Sequence, residues 1–152
     1  MAVTKCLARD WIVEIGDGGA TPVWTEIKGI NTLTFGSSKN DADTTSFDNG
    51  GVNTHLVASR GYTLTLEGFY MIDVETGDRE PGQQLVEELA DKIGPSSIGQ
   101  FRLTDPAGLV RTFSASANIG DVGGGNDDPT SWGAELTISG KPTQAVKPGA
   151  GA

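Results

Sequence analysis

The sequence predicts a mainly β fold of the α+β class, antiparallel and sandwich- or barrel-like, with one flanking helix and one long polar loop. Short runs of alternating apolar residues recur between clusters of Gly, Pro, Asn and Asp, the pattern of strands joined by turns. One segment only, residues 81–93, changes to helical spacing. The composition, with 22 Gly, 7 Pro and 2 Met in 152 residues, suits turn-rich strands better than a helical bundle. A chain of this length supports one domain, burying roughly 70% of its extended surface.

Residues 9–16 place Trp11, Val13 and Ile15 on one face, and Asp17-Gly18-Gly19-Ala20 supplies the positive-φ positions of a tight turn. Residues 23–27 read as the return strand, and 29–36 as the next, with Leu33 and Phe35 on its apolar face. Across 37–59 the alternation lapses into a run of Ser, Asn, Asp, Thr and Gly. An irregular stretch this long in a small domain is a mobile surface hairpin or a functional loop; its Phe47, Leu56 and Val57 favour docking on a partner.

Residues 61–72 carry the longest strand signal, with Tyr62, Leu64 and Leu66 set against Thr63, Thr65 and Glu67. After Gly68 both faces turn apolar, which predicts an end covered on both sides. The helix at 81–93 would lay Leu85, Val86, Leu89, Ala90 and Ile93 on the sheet. Pro81 suits its first position, Gly94 a left-handed C-terminal cap, and Glu88 and Lys92 an i, i+4 pair. Further strands follow at 100–104, 109–119 and 131–139, parted by the turn Asp105-Pro106-Ala107-Gly108 and a Gly/Asp/Asn loop at 120–129. Past Gly140 the prolines and glycines predict a flexible tail.

Several functions find no footing. A net charge of −9 repels phosphate and disfavours tight DNA binding. The single cysteine, Cys6, has no internal partner, and the first residues lack the apolar run of a signal peptide; the chain reads as made and kept in cytoplasm. No apolar run approaches the roughly 20 residues of a membrane-spanning helix. His55 is the one histidine, and neither it nor Cys6 has the local context of a nucleophile motif. Gly123-Gly124-Gly125-Asn126-Asp127-Asp128 uses a calcium-repeat alphabet without the repeat. Asp41-Ala42-Asp43 opens like an EF-hand loop, but Ser46 and Val52 occupy its glycine and glutamate places. No catalytic residue, metal site or cofactor is expected. One pattern stands out: the polar strand faces Thr32/Thr34, Thr63/Thr65/Glu67, Thr112/Ser114/Ser116/Asn118 and Glu135/Thr137/Ser139 contain no Lys or Arg.

The order and spacing of these segments carry a family resemblance. Asp43-Thr44-Thr45-Ser46-Phe47-Asp48-Asn49-Gly50-Gly51, then Gly61-Tyr62-Thr63-Leu64-Thr65-Leu66-Glu67-Gly68, then Trp132-Gly133-Ala134-Glu135-Leu136-Thr137-Ile138-Ser139-Gly140-Lys141-Pro142, resemble the major tail tube proteins of siphophage-type long-tailed bacteriophages. That family is related to the tubes of contractile tails and secretion systems. The resemblance implies an N-terminal arm at 1–8, a tail tube domain at 9–142 whose 37–59 loop reaches a neighbouring ring, and a tail at 143–152. It implies six copies closed into a ring and rings stacked into the conduit for DNA ejection. The loop would be disordered in the free subunit and ordered on assembly. Its contact candidates are Asp43, Thr45, Phe47, Asp48, Asn49, Leu56 and Val57; those for the lumen are Glu67, Ser114, Ser116, Asn118 and Glu135, past which DNA slides without tight binding. Implied partners are further copies and the tape-measure, tail-tip and tail-terminator proteins, with no membrane; the implied location is the virion tail, after assembly in host cytoplasm. The alternatives are a β-sandwich binding module or adhesin, which would expose aromatics on its loops, and a tube protein of a contractile injection or secretion system.

Overall fold

The computed structural model describes residues 2–146. Seven strands are formed: β1 (Ile12–Gly16), β2 (Trp24–Glu26), β3 (Ile30–Asp43), β4 (His55–Phe69), β5 (Gly99–Thr104), β6 (Leu109–Ile119) and β7 (Ser131–Val146). They make one antiparallel sheet in the order β2-β1-β5-β6-β7-β4-β3. The α-helix α1 (Pro81–Ala90) follows β4, and short 3₁₀ turns occupy Ala8–Asp10, Phe47–Asn49 and Gly94–Ser97. The mainly β, antiparallel, one-helix reading of the sequence is borne out.

The alternating residues put one face of every long strand into a common core. Val13, Ile15, Leu64, Leu66, Phe101, Leu103, Phe113, Ala115, Ala134, Leu136 and Ile138 are buried there with Trp132 and with Val86 and Leu89 of α1. The sheet rolls up around this core. β3 and β6 stand three places apart, roughly 14 Å in a flat sheet, yet Phe35 and Phe113 have ring centroids 6.4 Å apart. Arg111 of β6 likewise lies over the rings of both Trp11 and Phe35. Twist and apolar burial together therefore give a barrel-like form, with α1 packed against β6, β1 and β2.

A buried side chain fastens the helix to the sheet. Gln83 is fully buried; its Nε2 donates to the carbonyls of Lys28 (2.9 Å) and Phe69 (2.7 Å), and its Oε1 accepts from the Met71 N–H at 3.1 Å. Close approach needs glycine on both partners: a Cβ at Gly82 would meet Ile27 Cα at 2.7 Å, and one at Gly29 would meet Gln83 Nε2 at 2.9 Å. Glu80 caps the helix, its carboxylate accepting from the N–H groups of Gly82 and Gln83.

Five expectations are corrected. Within 37–59 only 44–54 lies outside the strands: β3 and β4 stay paired from Ser37↔Tyr62 out to Asp43↔His55, a ribbon whose alternation is hidden because both faces meet solvent. The helix stops at Ala90 with Asp91 as its cap, so Ile93, expected in the core, is 92% exposed, and Gly94 opens a 3₁₀ turn rather than capping the helix. Glu88 and Lys92 form no ion pair among the described residues. Phe69, Met71 and Ile72 are not covered on both sides, each being at least two-fifths exposed. The expected tail begins late: β7 runs on through Lys141 and Pro142, and its 143–146 stretch pairs with the start of β6 (Thr143↔Thr112 to Val146↔Leu109). The rest of that tail, 147–152, lies outside the described residues, as does Met1.

Candidate assembly interface

Beyond the Tyr62↔Ile138 pair β4 has no partner but β3. From Ser38 to Asp43 these two strands run on alone for roughly 20 Å at about 3.3 Å per residue. The tip, 44–54, is closed by its own polar groups. Thr44 N–H donates to the Thr54 carbonyl (3.0 Å), and the hydroxyls of Thr44 and Thr54 meet at 2.9 Å. Thr45 Oγ1 donates to the Thr54 carbonyl and accepts from its N–H. A capping box joins Ser46 to Asn49, whose Oδ1 accepts from the Ser46 N–H at 2.6 Å. Gly50 and Gly51 supply the positive φ that turns the chain back. Asp43 accepts from the Thr45 N–H at 2.8 Å, and these Thr45 hydrogen bonds hold its carboxyl below the usual range.

That framework holds Phe47 wholly in solvent, at 107% relative exposure, with Val52 and Leu56 about two-thirds exposed and Val57 less so. A fully exposed phenylalanine on a hydrogen-bonded turn is a preformed apolar knob. The structure thus brings Asp43, Thr45, Phe47, Asp48 and Asn49 together at the tip, with Leu56 and Val57 on the adjoining ribbon.

The lumen candidates also gather on one surface, the convex face opposite the core. Register aligns Thr34, Thr65, Glu135 and Asn118 in one row and Gly36, Thr63, Thr137 and Ser116 in the next; Ser114 pairs with Ser139, and Glu67 with Thr32 and Gly133. Glu67, Asn118 and Glu135 border a shallow trough of about 530 Å³ floored in part by Gly68 and Gly133. No Lys or Arg enters these rows. Arg102 on β5 is held by Glu14 at 2.7 Å and lies over the Trp24 ring.

The other end of the barrel is built differently. Residues 70–80 form a bridged loop, Ile72 to Arg79, and Asp73 Oδ1 accepts the N–H groups of Glu75 and Thr76. Arg79 makes a bidentate pair with Glu87 (2.6 and 2.9 Å) and stacks on Tyr70 at 3.9 Å; Glu87 also accepts from Trp132 Nε1 at 3.1 Å. The guanidinium, and next the indole N–H, hold the Glu87 carboxyl below its usual range against the opposing effect of burial, and Arg79 is raised by the same pair.

Of the helix candidates, Val86 and Leu89 are core, Leu85 is half-buried against it, and Ile93 is outside. Sequence reasoning missed Gln83 and the Arg79–Glu87–Trp132 clamp. Neither carries a local signal, since the Gln83 partners lie 12 to 55 residues away and Trp132 is 45 residues from Glu87. The Ser46/Asn49 box had a readable spacing. His55 sits on the ribbon, 4.0 Å from Asp41, and Cys6 is exposed on the arm. Among the described residues no group of His, Cys, Asp and Glu is placed to hold a metal ion, and no helix is long and apolar enough to cross a membrane.

No protein-family model matches the sequence, and no curated protein matches it. Solved structures do share the fold. A chain in the tail of an empty GTA particle, refined helically with C6 symmetry, superposes with a TM-score of 0.75 at 14% identity, covering 93% of this chain and 100% of that one. A chain from the virion of a native gene transfer agent (GTA) particle gives 0.70 at 14% identity with the same coverage. A chain of the six-fold symmetrised baseplate of the anti-feeding prophage gives 0.56 at 12% identity, covering 95% and 98%.

Proposed function

We propose that this protein is the tube subunit of a phage-like tail, six copies closing into a ring and rings stacking into a conduit for DNA ejection. The observation that carries this reading is the β3–β4 ribbon. It projects roughly 20 Å past the sheet at about 3.3 Å per residue and ends in a braced, fully exposed Phe47. Such a device has no use in an isolated subunit and suits capture by a neighbouring one. The cation-free face of β3, β4, β7 and β6 supports the lumen assignment of Glu67, Ser114, Ser116, Asn118 and Glu135, because hydroxyls and carboxylates do not grip phosphate. The free edges β2 and β3 leave strand groups for pairing between copies. The shared fold with chains of tail particles supports the same reading. The role is structural, located in the virion tail after assembly in host cytoplasm, with tape-measure, tail-tip and tail-terminator proteins as partners. A contractile injection device is the second reading, favoured by the likeness to the baseplate chain.

The test is negative-stain electron microscopy of the concentrated protein beside a variant lacking residues 41–53. The full chain gives rings or tubes with a central channel, and the deletion variant stays folded and does not polymerise. Tubes from the deletion variant would refute the reading.

A further inference from the structure

β7 parts from β4 at the root of the ribbon. Their last pair is Tyr62↔Ile138; beyond it β4 continues with β3, while β7, with Gly140 at positive φ, follows β6 as far as Val146↔Leu109. The fork leaves a cleft of about 640 Å³ lined by the stacked rings of Phe35 and Tyr62, by Arg111 and by residues 141–144. Arg111 has donors to spare there. Its Nη1 is shielded from solvent, makes no hydrogen bond among the described residues and stands 3.7 Å from Asp105, too far for one. Asp105 in turn accepts from the Leu109 N–H at 2.9 Å. Lys141 is exposed at the rim and has no ion pair among the described residues. An aromatic wall therefore meets two cations, with Asp105 the one carboxylate paired to either.

The ribbon tip has the matching chemistry. Phe47 is wholly exposed, Asp48 beside it is exposed, and 42–54 contains no Lys or Arg. The paired strands hold this tip roughly 20 Å beyond the cleft of its own subunit at about 3.3 Å per residue, so only another copy can supply it. Asp41, nearer the root, is taken up by Lys39 at 3.5 Å. We propose that the fork cleft seats the Phe47–Asp48 tip of a second copy, the ring against Phe35 and Tyr62 and the carboxylate on Arg111 and Lys141. The inference rests on the tube reading and names where the exposed knob is received. The lengths agree: from Phe69 to Tyr62 the β4–β7 body measures roughly 25 Å, close to the reach of the ribbon and its turn. A ribbon laid along the body of the next copy thus brings its tip level with that copy's cleft. Aromatic packing and a charge-assisted pair then meet in one site.

The experiment introduces Phe47→p-benzoylphenylalanine into the full chain, mixes isotope-labelled with unlabelled copies, irradiates the assembled protein and maps the crosslinked peptides by mass spectrometry. Crosslinks between copies reach Tyr62 or residues 141–144. Crosslinks confined to other surfaces, or none between copies, overturn the proposal and leave the tube reading standing. Charge is read separately, at two exposed positions. Asp48→Lys and Lys141→Glu each raise the critical concentration for seeded elongation several-fold, and the double variant recovers most of the loss, with urea unfolding checking that each is folded. A double variant no better than the worse single one overturns the proposal, and this readout decides alone if the bulkier ring blocks assembly. A folded wild type that forms neither rings nor tubes overturns the tube reading and this contact with it.

Discussion

Replacing Phe47 by Ser separates assembly from folding. The ring is wholly exposed, and the hydrogen bonds that close the tip run through Thr44, Thr45, Ser46, Asn49 and Thr54, not through Phe47. The subunit therefore keeps its stability to within about 0.5 kcal/mol. The proposed layer contact buries the knob. Covering half of the roughly 200 Å² of a phenylalanine side chain at about 25 cal/mol per Å² contributes about 2.5 kcal/mol. Ordering losses leave about 2 kcal/mol, or roughly a 30-fold weakening for each contact removed. The assay pairs urea unfolding of the monomer with the critical concentration for elongation. An unfolding change above about 1 kcal/mol would show that Phe47 packs within the subunit, and an unchanged critical concentration would show that no neighbour buries it; either result refutes the reasoning.

Gln83→Leu strands two buried carbonyls and one N–H, at about 1 to 3 kcal/mol each before the gain from the apolar replacement; a net loss of about 3 to 5 kcal/mol should appear in denaturant unfolding. Leu89→Ala removes a buried side chain that touches the β5 start at Gly99 and should cost about 2 to 5 kcal/mol in the same assay. Glu87 titrates below its ordinary value in the folded state, so its pairing stabilises above the unfolded pKa of about 4.3 and is lost as pH falls through the lower folded value. Glu87→Gln should therefore be less stable than the wild type at pH 7, with the gap narrowing below about pH 4 in urea midpoints measured across pH.

Much of the fold was legible because one-sided burial writes itself into the chain with period two. Val13/Ile15, Leu64/Leu66, Phe101/Leu103 and Leu136/Ile138 alternate with polar residues, and each pair is core. The same rule explains the error over the ribbon: from Ser38 to Asp43 both faces are solvated, alternation carries no benefit there, and a paired strand reads as a loop. Ile93 keeps the helical spacing of Leu85 and Leu89, but periodicity does not record where a helix stops. The chain leaves α1 at Ala90 and carries Ile93 into solvent. At the tip, the local code of Asp43, Thr45, Ser46 and Asn49 was present in sequence, yet its closure needed Thr54 from the returning strand.

The inward-facing strand residues, the turns between strands at glycine and proline, and the absence of cations from four strand faces follow from the sequence itself, since each depends on neighbours only a few residues away. Tertiary packing alone makes the sheet roll until Phe35 meets Phe113, lets Gln83 fasten segments as many as 55 residues apart, and joins Arg79, Glu87 and Trp132 in one clamp. These depend on strand order and register, which arise from the packing of the whole core and leave no mark on any single stretch of chain.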